Sequence, residues 1–289
     1  MKVYVDPPKH MSQAMFRVAR ALKQYAPLDV RIVLDPKEAD YQVLHVIGPD
    51  ALLYRSEARA TVAIQYCFIS AGFEAHRDAW IDWWKQQRLV WSYYDLSPYV
   101  PWPRMYYAPM GIEPATFKLQ RGSRDVGAMT SGYVTGPGAE AIEEVGLAAA
   151  KHGMSILHLG PVPETRDKSP MVTPPGWMNL HGVSDHVLAE AYGRSRWVSG
   201  LRHVEGFELP ALEGLACGAR PVLFDRPEMR AWFKGHGVYV PECSGFELIE
   251  RLTEVFSCEP KVVTEEERAI VAQDFNWKRI AQSFWARLV

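Results

Sequence analysis

The chain has 289 residues, 48% of them hydrophobic and 23% charged, with a formal net charge of −2. This is an ordinary globular composition with room for one large or two ordinary domains, and its balanced charge gives no signal for binding polyanions. No apolar run of 18 residues marks a membrane span, and Cys67, Cys217, Cys243 and Cys258 form no Cys-x-x-Cys pair, which argues against a zinc site or disulfide framework and for a reduced, cytoplasmic compartment.

In chain order, residues 2–5 read as a strand too short to belong to a signal peptide. Residues 11–26 read as a helix with Met15, Val18, Ala19 and Leu22 on one face. Strands are expected at 30–34, 41–47, 61–69 and 89–93, with a helix at 73–87. Ten aromatics fall between Trp80 and Tyr107. Trp80, Trp83 and Trp84 share a helix face and fit a core, whereas Tyr93, Tyr94, Tyr99 and Trp102 fall on an expected loop where a ring could stack on a sugar or base.

A second alternating series begins after Pro109-Met110-Gly111. Strands are expected at 125–130 and 155–159 and a strand end at 179–182. Helices are expected at 138–152, 185–194, 244–256 and 265–288. Strands alternating with helices at this spacing imply parallel sheets covered on both faces. Two such domains, 1–117 and 118–276, are expected to face each other across a cleft at the carboxyl ends of their strands. The final helix, 277–289, is expected to pack back on the first domain.

The most informative stretch runs from Trp197 to Asp225. It reads as strand, turn (Glu205-Gly206-Phe207-Glu208), helix and strand. Pro210 suits the first helical turn and Gly218 a left-handed stop. A strand leading through a glycine turn into a helix aims amide N–H groups and a positive helix end at one spot, which suits phosphate. Glu205 and Glu213 lie eight residues apart across that turn.

These residues resemble the retaining, family 4-like glycosyltransferases of the GT-B fold. Beside Glu205-x7-Glu213, four landmarks carry the resemblance in order: Tyr107-Ala-Pro-Met-Gly-Ile-Glu113 with Phe117; His181-Gly-Val-Ser184 with Leu188 and Tyr192; Gly235-x-Gly-Val-Tyr-Val-Pro241; and Phe275-Asn-Trp277. The resemblance implies an α/β chain of two Rossmann-like doubly wound domains. It implies a nucleotide-sugar donor, UDP-glucose by default, and transfer with retention. Glu213 would bind the donor ribose and Glu205 would lie by the transferred sugar. The amides of Gly206, Phe207 and Glu208, with Leu209, Ser131, Gly132, His181 and Val183, would complete the donor site.

The turn departs from the family's usual Glu-Gly-Phe-Gly at Glu208. A carboxylate near a diphosphate is unfavourable unless it points away or pairs with a cation. The family's basic clamp is also absent after the first strand of the second domain, so Arg202, then Arg196, is the substitute cation. His45 is a further catalytic candidate and His203 a lesser one. Lys9, His10, Tyr94 and Trp102 are the acceptor-side candidates. No Asp-x-Asp or His-Glu-x-x-His occurs, so no metal or cofactor is expected. The acceptor is a glycan or lipid-linked sugar at a membrane surface, a small molecule, or a hydroxymethylated base in phage-type DNA, the last placing the protein in a host cytoplasm. The alternatives are a non-catalytic nucleotide- or sugar-binding module and, below it, a phosphorylase.

Overall fold

The computed structural model describes residues 1–7, 13–67, 70–120, 122–132, 141–160, 173 and 176–289. In chain order the strands are β1 (Lys2–Val5), β2 (Arg31–Ile32), β3 (Tyr41–Val46), β4 (Ala60–Gln65), β5 (Leu89–Ser92), β6 (Met105–Tyr107), β7 (Val126–Ser131), β8 (Ile156–Leu159), β9 (Trp177–Leu180), β10 (Ser195–Gly200), β11 (Arg220–Phe224) and β12 (Val238–Val240). The helices are α1 (Gln13–Gln24), α2 (Ser70–Ala75), α3 (Arg77–Gln86), α4 (Ile142–Ala150), α5 (Asp185–Arg194), α6 (Leu209–Cys217), α7 (Pro227–Phe233), α8 (Gly245–Phe256), α9 (Glu265–Asp274) and α10 (Trp277–Leu288).

They form two compact units: Met1–Gly111 with Val204–Phe207 and Phe275–Val289, and Ile112–His203 with Glu208–Asp274. The first unit holds a six-stranded parallel sheet in the order β2-β1-β3-β4-β5-β6. The order reverses between β1 and β3, which defines the crevice at the carboxyl edge. Trp80, Trp84, Val90 and Met105 pack in its core. The helix α10 closes this unit: Trp285 donates to Leu22 O at 3.1 Å, and Tyr106 donates to Ile280 O at 2.8 Å.

The second unit holds a parallel sheet in the order β12-β11-β10-β7-β8-β9. Here the order reverses between β7 and β10. Trp197, Val222, Leu248 and Phe256 fill the core on one face. On the other, α6 is buried along its length because its residues are nearly all apolar. Gly218 ends α6 in the left-handed conformation, φ 99°.

Four expectations are corrected. The helix expected at 265–288 is two, α9 and α10, because Asn276 leaves the helical region at φ −81°, ψ 122° and caps α10 by accepting from Lys278 N. The helix expected at 73–87 is two helices, because His76 leaves the helical region at φ −128°, ψ 20°. Residues 227–233 form a helix where none is expected; Pro227 opens it and Lys234 stops it at φ 46°. Val204–Phe207 falls in the first unit, not the second, because its partners are there: Tyr94 donates to Val204 O at 2.9 Å, and Glu205 forms an isolated antiparallel bridge with Cys67.

Candidate functional site

In the second unit, the carboxyl ends of β7 and β10 flank the reversal point of the sheet. Ser131 ends β7 and Gly132 follows it; Arg202 lies two residues beyond β10. The Arg202 side chain is only 10% exposed. Its Nη2 donates to Ser131 O at 2.8 Å and to Ser131 Oγ at 2.9 Å, while its Nη1 donates to Glu208 Oε2. One guanidinium therefore joins the end of β7 to the N-cap residue of α6. Gly132 makes this possible twice over. Its φ of 99° suits glycine, and a Cβ there would meet Arg202 Nη2 at 2.8 Å.

Glu208 is 1% exposed, and its side chain makes no capping bond to α6. It turns into the unit toward Arg202. Burial pushes its carboxyl above the usual range, while the charges of Arg202 and then Arg226 pull it back. Arg226, the N-cap residue of α7, donates to Arg202 O at 3.2 Å and lies 3.7 Å from Glu242 and 4.0 Å from Glu228. Leu209, the first residue of α6, is buried. Further along the helix, Glu213 is 2% exposed and accepts from Tyr192 Oη at 3.2 Å. Tyr192 is itself fully buried beside Phe117.

His181 is exposed and Val183 half-buried in the loop before α5, whose N-cap Ser184 accepts from Val187 N. Arg196 does not fit as a substitute cation. It is the second residue of β10, at the amino end of that strand, where it pairs with Glu259 at 2.8 Å and donates to Arg124 O. His203 is bonded through Nδ1 to Glu242 at 2.9 Å.

The first unit carries the other candidates. Glu205 is half-buried in the 204–207 turn. Gly206 lies against the Tyr94 ring so closely that a Cβ would meet ring carbons at 2.5–3.0 Å. Phe207 is buried between Tyr93 and Phe275, its ring centroid 6.0 Å from each of theirs. Tyr94 is thus corrected from a stacking surface to a buried support of the turn; apolar packing against Gly206 outweighs exposure. Trp102 is 57% exposed, but it precedes β6 and so lies at the amino end of that strand, not at the carboxyl edge where the crevice is. His45 is buried near the carboxyl end of β3, its Nδ1 2.7 Å from Tyr66 Oη. Burial holds the Tyr66 phenol well above its usual range, so it stays protonated. The Cys67 thiol is pushed up to about 12, by burial first and then by Glu205, so it is no nucleophile near neutral pH. Lys9 and His10 lie outside the described residues.

Three partners escape the sequence reading. Tyr66 sits just past β4, inside the span taken as strand. Tyr192 is visible as a landmark but not as the partner of Glu213. Arg226 opens the helix that the sequence reading omits.

Two doubly wound parallel units in one chain define the GT-B fold, and the comparisons agree. No family model matches the chain, and no curated protein matches it. Solved structures do. Anabaena HepE in complex with UDP-glucose is 11% identical, with 99% of this chain and 98% of that one covered and a TM-score of 0.70. A glycosyltransferase from Rickettsia africae is 11% identical, covering 99% and 97%, with a TM-score of 0.63. Sucrose-phosphate synthase from Thermosynechococcus elongatus is 13% identical, covering 85% and 72%, with a TM-score of 0.64. At these identities the likeness establishes the fold alone.

Proposed function

We propose that the chain is a retaining glycosyltransferase that moves a hexose from a nucleotide-diphosphate sugar, UDP-glucose by default, to a hydroxyl acceptor without a metal cofactor. The observation that carries the reading is the carboxyl edge of the second unit. There Ser131, Gly132 and Arg202 meet the start of the helix that holds Glu213. A buried helix start and a guanidinium suit a diphosphate. Glu213, oriented by Tyr192, has lone pairs for the two adjacent hydroxyls of a ribose. Glu205 acts at the transferred sugar, where a carboxylate stabilises positive charge developing at the anomeric carbon. The protein's contribution is then positioning and charge stabilisation, with no enzyme nucleophile. UDP is favoured because HepE, a structural neighbour, is solved with UDP-glucose. The acceptor is a glycan, a small hydroxylated molecule or a hydroxymethylated base in DNA.

A second reading, a non-catalytic nucleotide- or sugar-binding module, is favoured by one observation: Arg202 is already bonded to Glu208. Both readings need donor binding. Calorimetry with UDP-, GDP- and ADP-sugars is expected to show binding of the UDP-sugar. Glu213→Ala is expected to weaken it by roughly 1–3 kcal/mol, the scale of a hydrogen bond to a charged group. Unchanged affinity in Glu213→Ala would remove the ribose role.

A further inference from the structure

We infer that Glu208 is an internal competitor for Arg202: its carboxylate takes the contact that the donor's diphosphate needs, so Glu208 lowers donor affinity. The inference rests on the nucleotide-sugar reading above and names the residue that regulates that site.

Three observations converge on it. First, an N-cap carboxylate ordinarily accepts from the amides of its own helix. Glu208 makes no such bond; its carboxylate is bonded instead to Arg202, whose Nη1 donates to Oε2 and whose backbone N–H also holds the carboxyl down. Second, Arg202 is held in place from the other side by Ser131 and admitted by Gly132, so it cannot follow Glu208 away from the crevice without breaking two bonds. An anion reaching this guanidinium meets Glu208 there.

Third, the surrounding charge does not favour a second anion. The one further charge acting on the pair is Arg226 at the start of α7, and it is itself engaged by Glu228 on α7 and by Glu242, which also binds His203. Along this chain of contacts three carboxylates, Glu208, Glu228 and Glu242, share two arginines. A diphosphate adds two further negative charges. Like charges sharing one cation cannot all stay ionised, and the buried carboxyl is the one that gives way. Glu208 therefore takes a proton from solvent when the donor binds. An O–H bond forms on the carboxylate, its bond to Arg202 is released, and Nη1 of the guanidinium, still held through Nη2 by Ser131, is left for the diphosphate. Donor affinity rises as pH falls, and the heat of binding depends on the buffer that supplies the proton.

The test is calorimetry with UDP-glucose, whose two phosphates each carry an ester link, an anhydride link and one strongly acidic group, so that their charge is constant around neutral pH. The wild-type protein is expected to bind more tightly at the lower pH, with proton uptake read from buffers of different ionisation heat. Glu208→Gln is expected to bind roughly tenfold tighter or better at the higher pH and to lose the pH dependence, because a competing charge-assisted bond is gone. A gain in affinity cannot come from misfolding. If the variant fails to fold, the buffer dependence of the wild type decides alone. Binding without proton uptake, unchanged or weaker binding by Glu208→Gln, or a pH dependence that persists in it and so belongs to another group, would each overturn the inference while leaving the nucleotide-sugar reading intact. Failure of the wild type to bind any UDP-, GDP- or ADP-sugar would instead overturn that reading.

Discussion

Glu205→Ala is expected to lower turnover by roughly 10²-fold or more, the scale of losing one electrostatic contact to a reacting centre, while donor affinity changes much less. The turn gives this prediction its force. Glu205 is held through its backbone bridge to Cys67, and the turn is anchored on both sides, by Tyr94 bonding Val204 O and by Phe207 packed against Tyr93 and Phe275. Truncating the side chain leaves those supports in place. A fall in turnover with an intact melting transition therefore reports chemistry. The readout is turnover at saturating donor beside the dissociation constant; a rate equal to that of the wild type would reduce the Glu-x7-Glu pattern to a packing motif.

The second large effect concerns stability. Arg220 is 4% exposed, and its guanidinium is spent completely. It donates to both carboxylate oxygens of Glu267, at 2.9 and 3.2 Å, and to the carbonyls of His236, Lys261 and Val262. Glu267 and Thr264 form a reciprocal capping box at the start of α9: Thr264 N donates to Glu267 Oε2 at 2.8 Å, and Glu267 N donates to Thr264 Oγ1 at 3.1 Å. One arginine thus fastens the start of α9 to β11, and α9 in turn packs on α6, the helix that carries Glu213. Arg220→Met leaves the Glu267 carboxylate with only Thr264 N and His236 as partners, and three carbonyls without their donor, so it is expected to cost about 3–5 kcal/mol. Urea unfolding at neutral pH measures it.

The same pair sets an acid dependence. Hydrogen bonds from Arg220 lower the Glu267 carboxyl from 4.5 to about 2 in the folded protein. A depressed carboxyl stabilises the fold above its unfolded value and stops doing so as pH falls through the folded one. Its contribution, at most roughly 3 kcal/mol, is therefore complete above about pH 4.5 and gone near pH 2. The stability gap between wild type and Arg220→Met is expected to narrow across that window. A gap that stays constant would mean that Arg220 acts through its carbonyl bonds alone.

The architecture is readable in the sequence where local chemistry and periodicity agree. Pro210 and Gly218 bracket α6 because a first helical turn and a left-handed stop each favour a particular residue type. The alternation of strands and helices gives both sheets. The Arg202–Glu208 pair is not readable. Its members lie in the connection between β10 and α6, where no helix or strand periodicity applies, and Ser131 joins them from a strand 71 residues away. The placement of Val204–Phe207 in the first unit is likewise invisible, since its partners Cys67, Tyr94 and Phe275 are remote in sequence. Aromatic character misleads at Tyr94. The same ring that could stack on a sugar serves equally well against a glycine turn, and only burial separates the two.

The central proposal, sugar transfer from a nucleotide-diphosphate donor, is tested most directly by following nucleotide-diphosphate release and product mass. The wild-type protein and Glu205→Ala would be given UDP-, GDP- and ADP-sugars together with glycan, small-molecule and hydroxymethylated-DNA acceptors. The predicted result is UDP release coupled to a hexose mass increment on one acceptor class, and its loss in Glu205→Ala. Binding of a nucleotide-sugar by the wild type with no release and no mass increment across the whole panel would contradict it and leave a binding module.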